Sequence, residues 1–240
     1  MRQAFLEAPL LSKNRGAAVA AANHNEGVAF MIQHGAAYGS ITVPDGRRTI
    51  VDVFLPTDIG GIGDSVMGHS EQEIIAASSL SYRAISSDIF SGLMRNHQVA
   101  LRVLALLAEQ RRRLDHHVMA LARFHARERI CSFVIGIYDR LWRSELISRP
   151  TFNLPLNQDQ MADHLGMTIV HVSRTLRRLR EERLLLIDRQ VAIILNVDAV
   201  RMHAKGSRPA AASALPGGSA DAGDLYPSSK TAFASELKSR

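Results

Sequence analysis

The C-terminal part of the chain is organised around residues 156–197, LNQDQMADHLGMTIVHVSRTLRRLREERLLLIDRQVAIILNV. Asn157 can cap a helix, and Gln160 stands three positions later, where it can complete a capping box. This pattern predicts a helix over Gln158–Leu165. Gly166 follows directly, and glycine is the residue that best tolerates the left-handed backbone of a sharp turn between helices.

A second helix is predicted over Ile169–Glu182, with Thr168 as its cap. Its apolar residues recur at intervals of three and four, which predicts one buried face. That face is predicted to consist of Ile169, Val172, Leu176 and Leu179. Ala162, Gly166 and Val172 stand at relative positions 0, 4 and 10, the spacing of a helix-turn-helix. Because that motif places its second helix in the DNA major groove, the stretch indicates DNA binding.

The other face of this second helix is basic. Five arginines lie between positions 174 and 183, against two glutamates. An arginine in the first two turns can form a bidentate contact with a guanine edge, which discriminates between bases by about 1–3 kcal/mol. Arginines further along the helix can bind phosphates. The residues predicted to point outward or toward the flanks are Val170, Ser173, Arg174, Arg177 and Arg178.

Two short apolar segments, Leu184–Ile187 and Val191–Leu195, flank a turn at residues 188–190 and predict a β-hairpin. A hairpin directly after such a helix forms the wing of a winged helix-turn-helix. Arg189 at its tip is a candidate phosphate contact, and an exposed loop residue is the alternative. After Met202 the chain is rich in Ala, Ser, Gly and Pro, which predicts a disordered tail over residues 203–240.

A long helix is predicted upstream, from about Leu93 to Arg123, because this segment contains no Gly or Pro and many strong helix formers. Its apolar positions follow a heptad repeat interrupted by one arginine, which is typical of a dimerisation helix. A long helix packed on its own domain is the alternative. The predicted dimer-interface residues are Ala100, Leu104, Leu107, Arg111, Leu114, Val118 and Leu121. Another helix is predicted over Ala126–Trp142, and Pro150–Pro155 is predicted to be a linker.

The N-terminal part has a β texture from about residue 28 to residue 90. Tyr38–Val43 and Arg48–Leu55 flank a Pro-Asp-Gly turn, and Asp-Gly supplies the positive φ angles of a tight hairpin. Two more strands are predicted over Glu73–Ala77 and Leu80–Ile85. The glycine-rich residues 58–68 are predicted to form a loop, and Ala17–Ala22 a helix.

These elements predict an α+β fold with four parts. They are a β domain over residues 1–92, a dimerisation helix over 93–123, a winged helix-turn-helix over 124–202 and a tail over 203–240.

The composition narrows the classes of function. The net charge is +6, and only four of the 29 basic residues are lysines, so the positive charge is mainly arginine, which suits phosphate and guanine. The single cysteine, Cys131, excludes an internal disulfide and a four-thiolate metal site within one chain, and its apolar helix face indicates a core residue. No apolar run is long enough for a membrane span and no secretory signal is evident, so a cytoplasmic location without a membrane partner is expected.

The order of a β-rich domain, a long heptad helix and a winged helix-turn-helix resembles the Crp/Fnr family of bacterial transcription regulators. The resemblance covers roughly residues 25–200. Its specific part is LNQDQMADHLGMTIVHVSRTLRRL (156–179), supported by PDGRRTIVDVFLPTDIGGIGDS (44–65) and ARERICSFVIGIYDRLW (126–142). The resemblance implies a sensor β-roll of the cyclic-nucleotide-binding type and a homodimer on a two-fold symmetric site in double-stranded DNA. For an activator it also implies contact with RNA polymerase.

By position, the resemblance implies base-facing roles for Val170, Ser173 and Arg174. Many members have Glu where Val170 stands. Valine can touch a thymine methyl but cannot accept a hydrogen bond from cytosine, so the commonest half-site of the family is not to be assumed for this chain. The predicted DNA-binding residues together are Thr168, Val170, His171, Ser173, Arg174, Arg177, Arg178 and Arg189.

The sequence leaves the effector and the direction of regulation open. Members that bind cyclic nucleotides use an Arg to neutralise the phosphate, and no Lys or Arg occurs between Arg48 and Arg83. A cyclic-nucleotide-responsive regulator is therefore only the alternative. Because the first 25 residues do not resemble strands, the β-roll is expected to be incomplete. No cofactor, metal site or enzymatic activity is predicted, and no local pattern supports haem ligation. The other alternative, a cupin-like metal protein or enzyme, needs clustered histidines, whereas His24, His34 and His69 are scattered.

Overall fold

The computed structural model describes residues 1–20, 27–68, 70 and 72–206. These residues form an α+β structure with a β domain first, then a run of helices, and then a small three-stranded sheet with further helices. No helix in these ranges combines the length and the apolar character that crossing a membrane requires.

The β domain has eight strands within the described residues. They are β1 (Leu10–Lys13), β2 (Ala18–Ala20), β3 (Val28–His34), β4 (Ala37–Thr42), β5 (Arg48–Phe54), β6 (Ile59–Gly60), β7 (Glu73–Ala76) and β8 (Leu80–Ser86). They form two antiparallel sheets with strand orders β1-β8-β3-β6 and β2-β7-β4-β5. The strands predicted at residues 38–55 and 73–85 are confirmed.

The expectation of an incomplete roll is wrong, because the N-terminal segment supplies one strand to each sheet. β1 pairs with β8, and β2 pairs with β7. The predicted helix over Ala17–Ala22 is also wrong where it can be compared, because Ala18–Ala20 is the strand β2. Pairing with β7 overrides the helix propensity of alanine. Residues 21 and 22 lie outside the described residues.

The β4–β5 hairpin contains a bulge that its sequence does not reveal. Gly39 pairs with Asp52 and Ser40 with Ile50, so Val51 is the extra residue. Ile50 and Val53 consequently lie in one hydrophobic cluster although they are three residues apart. At the turn, Gly46 has φ +86°, as the Asp-Gly pattern predicts.

Strand β3 alternates between two hydrophobic layers. Phe30 and Ile32 point between the sheets, where Phe30 meets the ring of Phe54 edge to face at 5.3 Å. Ala29 and Met31 face the opposite side, against helices. This alternation buries both faces of the first sheet.

Five helices belong to the β domain and the segment that follows it. They are α1 (Arg2–Glu7), α2 (Ile62–Met67), α3 (Ser87–Met94), α4 (His97–Arg123) and α5 (Ala126–Arg143). Residues 58–68 were expected to be a loop, but they contain β6 and α2. The long helix begins at His97 instead of Leu93, because the Asn96 side chain accepts hydrogen bonds from the N–H groups of Gln98 and Val99 and caps it there.

The C-terminal elements are β9 (Thr151–Asn153), α6 (Gln158–Leu165), α7 (Ile169–Glu181), β10 (Leu185–Asp188), β11 (Val191–Ile194) and α8 (Val197–His203). Residues 151–153 were expected to be part of a linker, but they form a strand that pairs with β11. The tail was predicted from residue 203, yet His203 ends α8 and Ala204 is buried. Residues 207–240 lie outside the described residues.

Helix α5 joins the two halves of this structure. Its Ile130 and Val134 are fully buried in one cluster that contains Ile50 of β5 and Met161 of α6. Cys131 lies in the same cluster, and burial raises the pKa of its thiol to about 12. This placement confirms the interpretation of Cys131 as a core residue.

Candidate nucleic-acid interface

The helix-turn-helix forms through local interactions that the sequence predicts. The Asn157 side chain accepts a hydrogen bond from the Gln160 N–H at 2.8 Å, and the Gln160 side chain accepts one from the Asn157 N–H at 3.0 Å. Gly166 ends α6 in the left-handed region, with φ +61°. The Thr168 side chain then accepts from the His171 N–H at 3.2 Å and starts α7. The capping box, the turn and the second cap are all confirmed.

Helix α7 buries one face and leaves the other in solvent. Val172, Leu176 and Leu179 lie in the core, as predicted. Ile169 does not, because it is the first residue of the helix and precedes the buried stripe; 49% of it is exposed. Thr175 is buried instead, and its hydroxyl donates to the His171 carbonyl at 2.8 Å.

The predicted base-facing residues lie together on the exposed face. Val170 is 66% exposed, and Ser173 and Arg174 are also exposed. Within the described part of the chain, the Arg174 guanidinium forms no ion pair. Arg177 pairs with Glu181 one turn later at 2.9 Å, with both side chains largely in solvent. Such surface pairs are weak, so Arg177 can exchange Glu181 for a phosphate at little cost.

A shallow surface depression of about 490 Å³ lies beside the start of α7. Its lining residues are Gln158, Ile169, Val170, Ser173, Arg174 and Arg177. Two of these, Gln158 and Ile169, are not among the DNA-binding residues that the sequence predicts. Gln158 begins α6, and only the crossing of the two helices brings it beside α7.

The wing turn presents Arg189 to solvent. Arg189 and Gln190 have φ angles of +44° and +71°, the backbone of a two-residue hairpin turn. The Leu154 N–H donates to the Gln190 carbonyl at 2.6 Å, which attaches the turn to the segment after β9. The predicted hairpin is confirmed, and Arg189 lies at its tip.

Helix α6 is fixed to the β domain by polar contacts. Arg48 of β5 donates to Asp163 through Nε at 3.0 Å and through a terminal nitrogen at 2.6 Å. His164 Nδ1 lies 2.8 Å from the Ile50 carbonyl oxygen. The His164 ring also stacks on the His117 ring of α4, with centroids 4.1 Å apart. These contacts set the position of the helix-turn-helix relative to β5 and α4.

The environment of His164 favours its neutral form. Burial, and then the neighbouring His117, lower the pKa of His164 to about 4, and the hydrogen bond to Ile50 opposes this only in part. Burial also lowers the pKa of His117. Because Ile50 contributes a carbonyl, neutral His164 donates from Nδ1.

The predicted dimer-interface residues form a seam along α4 that is exposed at five of its seven positions. Leu104 is 58% and Val118 is 55% exposed, and Leu107 and Leu114 are also exposed. Ala100 and Leu121 are half-buried, and Arg111 pairs with Asp115 at 2.7 Å. Leu107, Arg111, Leu114 and Leu121 also line a cavity of about 800 Å³. The seam remains a prediction, since the structure contains one chain.

Among the described residues, no group of three or more His, Cys, Asp or Glu side chains is placed to hold a metal ion. His24 and His69 lie outside the described residues.

The C-terminal part of the chain matches a known domain family. Residues 128–202 match the model of the Crp-like helix-turn-helix domain. The match includes most of α5, both helices of the motif, the wing and most of α8.

Relatives with longer matches extend this similarity. The nitrogen fixation regulation protein FixK of Rhizobium meliloti is 31% identical over 160 residues, which cover 65% of this chain and 69% of FixK. The transcriptional activatory protein AadR of Rhodopseudomonas palustris is 32% identical over 154 residues, which cover 60% of each chain. The match thus spans about three fifths of the length of AadR.

Solved structures support the fold over more of the chain. FixK2 from Bradyrhizobium japonicum superposes with a TM-score of 0.73 at 24% identity, and the alignment covers 86% of this chain and 99% of FixK2. A CRP-family transcriptional regulator from Thermus thermophilus gives a TM-score of 0.64 at 20% identity, covering 84% of this chain and all of that one.

Proposed function

Because this chain belongs to the Crp/Fnr family of bacterial transcription regulators, we propose that it is a homodimer that binds a two-fold symmetric operator in double-stranded DNA. The observation that carries the proposal is the solvent-exposed face of α7, where Arg174 forms no ion pair within the described residues. A guanidinium that is not neutralised inside the protein is available for a DNA partner.

Helix α7 supplies the base contacts. Recognition helices of this motif place their N-terminal residues against base edges in the major groove. Val170, Ser173 and Arg174 occupy the first two turns of α7 and share its exposed face. Arg174 can donate two hydrogen bonds to a guanine, and the Ser173 hydroxyl can donate or accept. The discrimination against wrong bases comes from this set.

Phosphate contacts position α7 on the duplex. The Thr168 hydroxyl accepts from the His171 N–H, so its own hydrogen remains available to a phosphate oxygen. Arg178 lies further along α7 and Arg189 at the wing tip, both exposed. These contacts carry no sequence information, and they make binding strongly dependent on salt.

Dimerisation through the seam on α4 brings a second copy of α7 to the DNA. Its exposed leucines and valine would be buried when two copies pack in parallel, and each fully buried side chain of this size contributes about 1.5–3 kcal/mol. The dimer places two copies of α7 on one face of the duplex, as a two-fold operator requires. The apolar seam therefore has a role that a monomer does not give it.

The remaining partners follow from this function. A DNA-binding regulator acts in the cytoplasm of a bacterium, and as an activator it contacts RNA polymerase. The function requires no catalysis.

The test measures binding of the purified chain to a set of genomic fragments by fluorescence anisotropy at about 50 and about 200 mM salt. Wild-type protein should prefer a few fragments, and affinity for all of them should fall by orders of magnitude at the higher salt concentration. Arg174→Ala should lose the preference and keep residual nonspecific binding. Arg102→Ala, exposed on α4 away from the motif, is the control and should behave as wild type. Equal binding of all fragments by the wild type, or an unchanged preference in Arg174→Ala, would refute the proposal.

A further inference from the structure

The cavity of about 800 Å³ beside α4 is lined by residues of β5, α4, α5 and α8. Its volume lies within the range of pockets that bind small molecules, about 300–1,000 Å³. The cavity is outside the space between the two sheets of the β domain. Val53 lines it and packs in the same cluster as α5, whereas the next residue, Phe54, packs between the sheets. The cavity is therefore separate from the interior of the β domain.

The lining of this cavity is strongly basic. Eight of its residues are Arg or Lys, and two are Asp. Four of the basic side chains form ion pairs within the described residues. The other four form none there, and they are Arg113, Arg129, Arg143 and Lys205. Arg129 already donates to backbone carbonyls, so Arg113 and Arg143 are the two guanidiniums that an anion can engage most directly.

Arg113 of α4 and Arg143 of α5 lie near each other. The hydrogen bond from Arg112 lowers the pKa of Glu109 most, and the charges of Arg113 and Arg143 lower it further, so both guanidiniums approach the same carboxylate. The Nε atom of Arg113 is buried and has no hydrogen-bond partner within the described residues. A buried donor without a partner is costly, and an oxygen of a bound anion would satisfy it.

The two carboxylates of the lining are compatible with a bound anion. Asp139 is neutralised by Arg201, which donates to it through two nitrogens, each at 2.8 Å. Asp52 accepts a hydrogen bond from the Val53 N–H at 2.7 Å. Burial raises the pKa of Asp52, and a carboxyl group with a raised pKa takes up a proton more readily when another anion approaches it. Neither group cancels the positive charge of Arg113 and Arg143.

We propose that this cavity binds a small polyanion with two phosphate or carboxylate groups, held by Arg113 on α4 and Arg143 on α5. Each guanidinium can form a bidentate pair with a phosphate or a carboxylate. The bound polyanion connects α4 to α5 beside β5, so the free energy of unfolding increases with its concentration. The site adds a small-molecule ligand to the DNA of the proposed function and does not depend on it, since no residue of α7 lines the cavity.

Calorimetric titration of the full chain with pyrophosphate and with citrate tests the proposal and separates phosphate from carboxylate ligands. At least one of the two should bind once per chain with a dissociation constant below about 1 mM. The same probe should raise the midpoint of urea unfolding. Acetate, which has a single carboxylate and engages only one guanidinium, should bind at least about tenfold more weakly.

Two substitutions connect the binding to the cavity. Arg113→Gln and Arg143→Gln should each weaken binding of the probe at least about tenfold, since each removes charge-assisted hydrogen bonds to the anion. Because Arg143 is exposed, Arg143→Gln should unfold in urea like the wild type when no probe is present. Arg102→Gln, exposed on the same helix as Arg113, is the matched control and should bind the probe like the wild type.

The outcomes separate this site from the proposed function. Failure of both probes to bind at about 10 mM, or wild-type affinity in either Arg113→Gln or Arg143→Gln, would overturn the proposal and leave the proposed function intact. In the second case the anion binds to other basic residues of the chain. Probe binding that both variants weaken, in a chain that prefers no DNA fragment, would uphold the cavity site while the proposed function fails.

Discussion

Protonation of His164 should loosen the contact between the helix-turn-helix and the β domain. Its Nδ1 atom lies 2.8 Å from the Ile50 carbonyl oxygen, and its ring stacks on His117 with an angle of 6° between the planes. A charged imidazolium in this position would be poorly hydrated. This imidazolium would also lie against the ring of His117, which can itself take up a proton. Burial and His117 together lower the pKa of His164 from 6.5 to about 4.

The size and sign of the effect follow from this shift. In the unfolded chain His164 takes up a proton near pH 6.5, whereas in the folded chain it does so only near pH 4. Between these values the unfolded state binds more protons, so the free energy of unfolding decreases as the pH falls. The stability that the folded chain gains by keeping His164 neutral is complete above pH 6.5 and is lost progressively as the pH falls to 4. It amounts to about 3 kcal/mol at about 1.36 kcal/mol per pKa unit.

Urea unfolding at a fixed protein concentration between about pH 7 and about pH 4 measures this contribution. His164→Asn removes the titration and keeps an amide nitrogen that can donate to Ile50. The decrease in unfolding free energy across this range should be about 3 kcal/mol smaller in His164→Asn than in wild type. His97→Asn, exposed at the start of α4, should retain the wild-type decrease. A decrease in His164→Asn equal to that of wild type would show that His164 is not the source of this pH dependence.

Four further outcomes are expected. Asn157→Ala removes the cap of α6 and should lower the free energy of unfolding in urea by about 1 kcal/mol; no loss would mean that the capping box is dispensable. Leu104→Glu places a charge in the α4 seam of both protomers and should weaken the dimer at least about 100-fold in sedimentation equilibrium, since two leucines lose their burial; an unchanged dimer would exclude this seam. Arg189→Ala should weaken binding to all DNA sequences alike and reduce the slope of log affinity against log salt by about 1; a loss confined to one sequence would contradict a phosphate contact. Because burial raises the pKa of Cys131 to about 12, a thiol reagent at about pH 8 should react slowly with folded protein and rapidly in urea; rapid reaction of the folded protein would contradict the burial.

The helix-turn-helix could be predicted from sequence because its determinants are local. Asn157 and Gln160 cap each other across three residues, and Gly166 and Thr168 act within one turn of their own positions. Such interactions depend little on the rest of the fold, so the sequence pattern alone located both helices to within one residue.

The missed strands depend on partners far away in the chain. β1 pairs with β8, about 70 residues later, and β9 pairs with β11, about 40 residues later. β1, β2 and β9 are only three or four residues long, too short for a repeating pattern to be recognised in the sequence. Their sequences therefore fit a loop or a helix equally well until the partner strand is known.

Position in the helix explains the error at Ile169. The periodicity groups Ile169 with Val172, Leu176 and Leu179, but periodicity does not tell where the packed partner ends. The first turn of α7 extends past the residues that pack on the core. Ile169, at the first position of the helix, therefore remains exposed. Gln158 was missed for a related reason, because only the crossing of α6 and α7 brings it to the surface depression.

Selection of bound sequences from a random DNA pool shows whether the exposed face of α7 determines which DNA sequence is bound. Wild-type protein should enrich two inverted half-sites whose centres lie about one helical turn, roughly 10–10.5 base pairs, apart. Arg174→Ala should lose a guanine from each half-site motif. Enrichment of no motif, of a single asymmetric motif, or of the same motif by Arg174→Ala would mean that a pair of α7 helices does not read the operator.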